Sequence, residues 1–261
     1  MALGSGMGGV GTCTLHTSQT VASTPMRAAA GVGMIFDSGT SEISIRRYLN
    51  GGLVGGVLIQ NSAAATGGHR PEDIRFFDGT NLSENMSYGL SVQSAWVVEN
   101  YGTSFNGTTA GPGVVLGPAA GPATVDRFSL IGGESTGNAR DNVLIQAACN
   151  VTLRSAATVA AGRGAAANKY SAVHATPAAC GSLEITGNTM GGAVFGNIVN
   201  AQAFAVLLDA GSYANQTIGP LTYVGRINIQ TNMVAGNKSG GINNAGAAPT
   251  GTALLITNNQ Q

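Results

Sequence analysis

Glu134 and Asp141 flank the loop GESTGNARD, and Asp78 and Glu84 flank a comparable loop earlier in the chain. Two carboxylates about 5–10 Å apart are the minimum equipment for hydrolysing a glycosidic bond. Glu134 and Asp141 are therefore the first pair to consider for a catalytic role, with Asp73, Glu99, Asp126, Glu184 and Asp209 as further acids. Solvated turn carboxylates are the plainer reading and carry more weight, because an acid in a loop needs no reaction to explain it. Recognition without turnover would fall to aromatic rings, which stack on sugar faces. Tyr101 and Phe105 lie in a polar, Gly-rich stretch and are the candidates for that role. Trp96 aligns with Cys149 in an apolar setting, so core packing is expected of it.

Other chemistry finds little purchase. His16, His69 and His174 are isolated, with no HExxH spacing, and no run of clustered Asp suggests a calcium loop. There is no GxSxG elbow and no GxxxxGK[ST] phosphate loop. Neither metal nor cofactor is expected. Cys13, Cys149 and Cys180 are an odd number without CxxC spacing and read as small buried thiols.

The elements that must position these residues are short strands. Of 261 residues, 43% are apolar but only 9% charged and 5% aromatic, with 40 glycines and a net charge of zero. That balance opposes disorder, which needs low hydrophobicity and high net charge. The twelve Lys and Arg are scattered, so no basic stripe awaits nucleic acid. No run of about 20 apolar residues predicts a membrane-spanning helix. Residues 1–11 have neither the charged nor the apolar region of a secretory signal.

Apolar residues two apart recur as two alternating strand types. Type A comprises Ile43/Ile45, Ile74/Phe76, Phe128/Leu130, Val151/Leu153, Leu183/Ile185, Ile227/Ile229 and Leu254/Ile256, with Val97/Val98 in a weaker slot. Type B comprises Val57/Ile59, Leu90/Val92, Val114/Leu116, Val143/Ile145 and Val206/Leu208, with weaker examples near Ala172 and Ile242. Seven steps cover the 211 residues from Ile43 to Leu254, about 30 per step, a period typical of stacked repeats. LSVQSAWVV and VLIQAACNV align, and VLIQNSA is a partial third copy. Alternation over three to five residues predicts strands with one buried face. Stacking predicts that Ile43, Ile74, Phe128, Val151, Leu183, Ile227 and Leu254 form one interior row, and that Arg75 and Glu99 can pair outside. Ala156–Ala167 is the best helical stretch, but Gly162 and Gly164 cut it.

Late type A strands share an ending. Asn188, Asn232 and Asn259 each fall three residues after the last apolar position. Asn tolerates left-handed backbone and, repeated coil on coil, can hydrogen-bond as a ladder. Three unconnected turns are the alternative.

SLEITGNTM, RINIQTNMVAGN and NVLIQAACNVTLRS resemble coils of the right-handed parallel β-helix proteins, among them phage tailspikes and pectate lyases. The resemblance covers about residues 40–261. It implies an all-β solenoid of roughly five to eight right-handed coils with Gly/Asn-rich turns over residues 41–261. Residues 1–40 would be a cap or attachment segment. It further implies a structural, receptor-binding spike or fibre component of a phage virion, homotrimeric, assembled with other virion proteins and recognising host surface polysaccharide. A polysaccharide-degrading lyase or glycoside hydrolase on the same scaffold is the alternative. Expected location is the virion or extracellular space, without membrane insertion or nucleic-acid binding. The chain ends after a type A strand with no evident cap, so a covering chain or a longer protein is also expected.

Overall fold

The computed structural model describes residues 2–3, 11–12, 31–64, 67–119, 121, 124–163, 169–191, 202–244 and 254–260. Among them there is no α-helix. In the described part of 156–163 the Ala-rich stretch is irregular; the remainder of Ala156–Ala167 lies outside the described residues, as do Cys13 and His16.

Every predicted strand forms. The type A sheet contains Ser41–Ile45, Glu72–Phe76, Ala95–Tyr101, Val125–Ile131, Cys149–Arg154, Cys180–Thr186, Arg226–Gln230 and Leu254–Thr257. The type B sheet contains Gly55–Ile59, Tyr88–Val92, Val114–Leu116, Val143–Ile145, Val173–Ala175, Phe204–Leu208 and Gly240–Asn243. Three further strands extend these sheets towards the N-terminus: Val32–Phe36 and Ala2–Leu3 join type B, and Gly11–Thr12 joins type A. Among the described residues each sheet thus has nine strands, and all of its pairings are parallel. The expected boundary at residue 40 falls between two strands, Val32–Phe36 and Ser41–Ile45, each of which continues a long sheet.

The chain alternates between the two sheets, so each type A strand pairs with the type A strands of the preceding and following passages. Parallel strands need such a crossover, because a tight hairpin only connects antiparallel ones. Registers stack the apolar positions in rows. Ile43, Ile74, Val98, Phe128, Val151, Leu183, Ile227 and Leu254 follow one another as direct partners. Met34, Val57, Leu90, Val114, Val143, Val173, Val206 and Ile242 form the matching type B row. All but the last member of each row are buried in one continuous core, against which Ile242 packs; Leu254, expected in the interior row, is 40% exposed, its strand being the last of the sheet among the described residues. Burying each such side chain contributes about 1.5–3 kcal/mol, which is why register is strongly specified here. Asn100 interrupts the neighbouring row between Phe76 and Leu130. It is fully buried, and its amide nitrogen donates to the Ser129 carbonyl at 3.1 Å.

The corner after each type A strand shows why the turn residues recur. Gly79, Gly102, Gly132, Ser155, Gly187, Thr231 and Asn258 all have φ between +52° and +82°. The following residues, Thr103, Gly133, Ala156, Asn188, Asn232 and Asn259, precede a bridged column running Ser104, Glu134, Ala157, Thr189, Met233, Gln260. The left-handed conformation expected of Asn188, Asn232 and Asn259 therefore belongs to the residue before each of them, because the chain must bend before the ladder position turns inward. Gly133 is also held at φ +71°, and a Cβ there would come within 2.3 Å of the Thr103 carbonyl oxygen.

Candidate functional site

Three parts of the surface bring functional groups together. On the outward face of the type A sheet, alternation places Arg75 beside Glu99 on the next strand. Arg75 binds Glu99 at 3.0 Å and Asp73 at 2.9 Å, so the expected Arg75–Glu99 pair forms. The hydrogen bond with Glu99 raises the Arg75 pKa above its ordinary value. Half-exposed pairs of this kind contribute at most about 1 kcal/mol, so their value lies in presenting fixed charge.

One column over, Arg46 lies 4.1 Å above the Phe77 ring, and Phe77 stacks on Tyr101 with centroids 5.5 Å apart and planes 15° apart. Tyr101 is raised above the ordinary tyrosine range by burial and by the adjacent Glu99 carboxylate. Phe77 covers one face of the half-buried Tyr101 ring. Phe105 does not share this surface. It is 0% exposed and belongs to the core, so it offers no face to a sugar. The sequence misplaced it because its stretch reads as a polar loop, whereas the backbone there is bridged coil on coil and turns Phe105 inward.

The acids of the loop GESTGNARD part company. Glu134 accepts a hydrogen bond from the Asn106 amide at 2.5 Å. Asp141 is nearly buried, accepts the Ser171 N–H at 2.7 Å and lies 3.5 Å from His174 Nδ1. The second ring nitrogen of His174 is 3.1 Å from Asp209. Burial opposes protonation of His174, but hydrogen bonds and charge from Asp141 and Asp209 outweigh it and raise its pKa. The two carboxylates sit on opposite ring nitrogens, a geometry that shares a proton-bearing ring and does not chelate one ion. Among the described residues no group of three or more His, Cys, Asp or Glu side chains is placed to hold a metal. No helix among them is long and apolar enough to cross a membrane.

Asn188, Asn232 and Asn259 stand in one column. Asn188 Nδ2 donates to Asn232 Oδ1 at 3.0 Å, and Asn232 Nδ2 donates to Asn259 Oδ1 at 2.9 Å. Each amide also donates to a carbonyl of the preceding coil: Leu153, Ile185 and Ile229 respectively. Their Oδ1 atoms receive the backbone N–H of Ala156, Asn188 and Asn232. A second set of buried amides escaped sequence reasoning. Asn138 bonds Asn142 and the Phe105 carbonyl, and Gln202 bonds the Met190 carbonyl and Asn237. No shared offset from a strand marks these residues.

The third region lies on the shoulder of the type A sheet. Cys149 and Cys180 are partners in register and form a disulfide, correcting the expectation of free thiols. Their separation of 31 residues, one period, was the available signal. Trp96, expected in the core, is half-buried with the Arg70 guanidinium 3.5 Å over its ring. An antiparallel hairpin, Gln216–Ile218 with Leu221–Tyr223, lies against this shoulder. Tyr223 donates to Asp126 at 2.7 Å across 97 residues of sequence. Burial and the Asp126 carboxylate push the Tyr223 hydroxyl up to about 12.

No protein-family model matches the chain, and neither a curated protein nor a solved structure matches it.

Proposed function

We propose that the chain is a right-handed parallel β-helix of the tailspike and pectate-lyase kind and serves as a structural, receptor-binding spike or fibre component of a phage virion. The supporting observation is the pair of nine-stranded parallel sheets described above, whose apolar rows stay aligned from strand to strand and whose outer faces differ. The type A face carries Asp73, Arg75, Glu99, the Tyr101 hydroxyl and, further along, the Arg154–Glu184 pair. Fixed charges and hydroxyls at coil spacing suit a polyhydroxylated chain lying along the stack, and host surface polysaccharide is the proposed ligand. The outward row of the type B face runs Ile35, Leu58, Ser91, Val115, Leu144, His174 and Leu207, apolar except for Ser91 and His174. It is the proposed surface for lateral association into a trimer. A disulfide persists in oxidising surroundings, which fits a virion or extracellular location.

A polysaccharide-degrading enzyme is the second reading, favoured by the half-buried His174 held between Asp141 and Asp209. Both are tested by incubating the protein with bacterial surface polysaccharides, measuring co-sedimentation, release of reducing ends and mass in solution. The first reading expects a trimer that binds without cleavage and loses binding in Arg75→Ala. A monomer that releases reducing ends would overturn it in favour of the second.

A further inference from the structure

We infer that the Gln216–Tyr223 hairpin is a strap that seals the Cys149–Cys180 disulfide from solvent, with the Tyr223–Asp126 hydrogen bond as its latch. This inference is independent of any polysaccharide or virion role.

The geometry that carries it is a column on the type A shoulder. Ala95 pairs with Val125, and Val125 is bridged to Ala148, so Trp96, Asp126 and Cys149 follow one another, and Cys149 pairs with Cys180. Such a column faces outward beside the strand start, where solvent would ordinarily reach it. Yet Cys149 is 1% and Cys180 0% exposed. Ala147 completes the buried group, and the side chains packed over it are Ala178, Ile218 and Tyr223. Two of these three belong to the hairpin. The ribbon itself is short: three residue pairs form its ladder, the Gly225 N–H adds one bond to Asn215 at 2.9 Å, and Leu221 and the adjacent Val224 are exposed. An isolated two-stranded ribbon is marginal in water. Its open end, where Gln216 pairs with Tyr223, is secured by Tyr223 on Asp126, beside Arg70, which is itself fixed over Trp96 and to the Thr124 carbonyl at 3.0 Å. Local opening of such an element costs less than global unfolding, so access to the bridge is set by the strap.

Reduction by a water-soluble phosphine reads this directly. The phosphine attacks one sulfur, the S–S bond breaks and the other sulfur leaves as thiolate. Water then converts the phosphonium to phosphine oxide, releasing the second thiol. The two electrons come from phosphorus, and each bridge gives two thiols. In a Cys13→Ser background these are trapped with a maleimide and counted by mass under native conditions. The parent protein should react slowly, and Tyr223→Phe about tenfold faster, the scale of one hydrogen bond to a charged group. Ile218→Ser should also accelerate the reaction, while circular dichroism and Tm stay near the parent values. A shallow dependence of the rate on urea is expected for strap opening. Parent-like rates in both variants would overturn the inference. So would a urea dependence as steep as that of global unfolding, because the bridge would then be reached only through the unfolded chain.

Discussion

The corner column behaves differently in the two halves of the stack. From Thr103 through Gly133 to Ala156 it carries small side chains, and from Asn188 through Asn232 to Asn259 it carries a chain of amides. In the early half Thr80 and Thr103 have buried hydroxyl oxygens without a partner, while in the late half the amides of Asn188 and Asn232 bond on both sides. The core compensates in the opposite sense. Phe36, Phe76, Phe105 and Phe128 are all fully buried in the early half, with Phe36 and Phe76 in edge contact at 6.4 Å. The late rows are built from Val, Leu, Ile and Ala, with Tyr213 the largest buried side chain there. The corner column is thus lined by small side chains in one region and by a hydrogen-bonded chain of amides in the other. The lesson is that a stacked coil specifies a position and a spacing, and either kind of side chain can fill it.

The contrast can be broken most severely in the early half. Phe128→Ala should cost about 3–5 kcal/mol, the usual loss for truncating a buried Phe, measured by urea denaturation. In the late half the comparable lesion is Asn232→Ala. It removes both amide links and strands the Ile185 carbonyl and the Asn188 N–H, for an expected loss of about 2–4 kcal/mol. If that variant lost no more than a surface substitution does, hydrogen bonding would not be what holds the late coils.

A smaller effect, of opposite sign, sharpens the same point. Thr231 holds φ +53° where Gly102, Gly132 and Gly187 serve in other coils. A β-branched residue is strained in that region, so Thr231→Gly should raise stability by about 1 kcal/mol, seen as a higher Tm. Gly102→Thr should do the reverse in the early half.

The smallest effect concerns pH. The His174 pKa is raised in the folded protein, so its contribution is fully present below the unfolded value near 6.5 and is lost as pH rises through the folded one. Tm should therefore drift down as pH rises above about 6.5, and His174→Gln should flatten that drift. Asp37 works at the other end of the scale. Burial opposes its ionisation, yet hydrogen bonds from the Ser62 N–H, Gln60, the Ser62 hydroxyl and the Ser38 N–H hold it well below the carboxylate range. Its contribution is present above the ordinary carboxylate pKa and disappears as pH falls through the depressed folded value.

The sequence by itself determined the strands, their two types and the column in which Asn188, Asn232 and Asn259 stand. Those depend on period-two alternation and on spacing from the last apolar residue, both local properties repeated at each coil. It also placed Arg75 opposite Glu99, since outward neighbours follow once the inward rows are aligned. Only the tertiary structure decided what happens at corners and shoulders. Phe105 turned inward, Asp141 met His174 and left Glu134 to Asn106, Cys149 joined Cys180, and Tyr223 reached back to Asp126. Coil lengths vary and the ladder shifts register between Cys149 and Val151, so there the direction of a side chain is set by how one coil seats on the next. No local pattern encodes that seating.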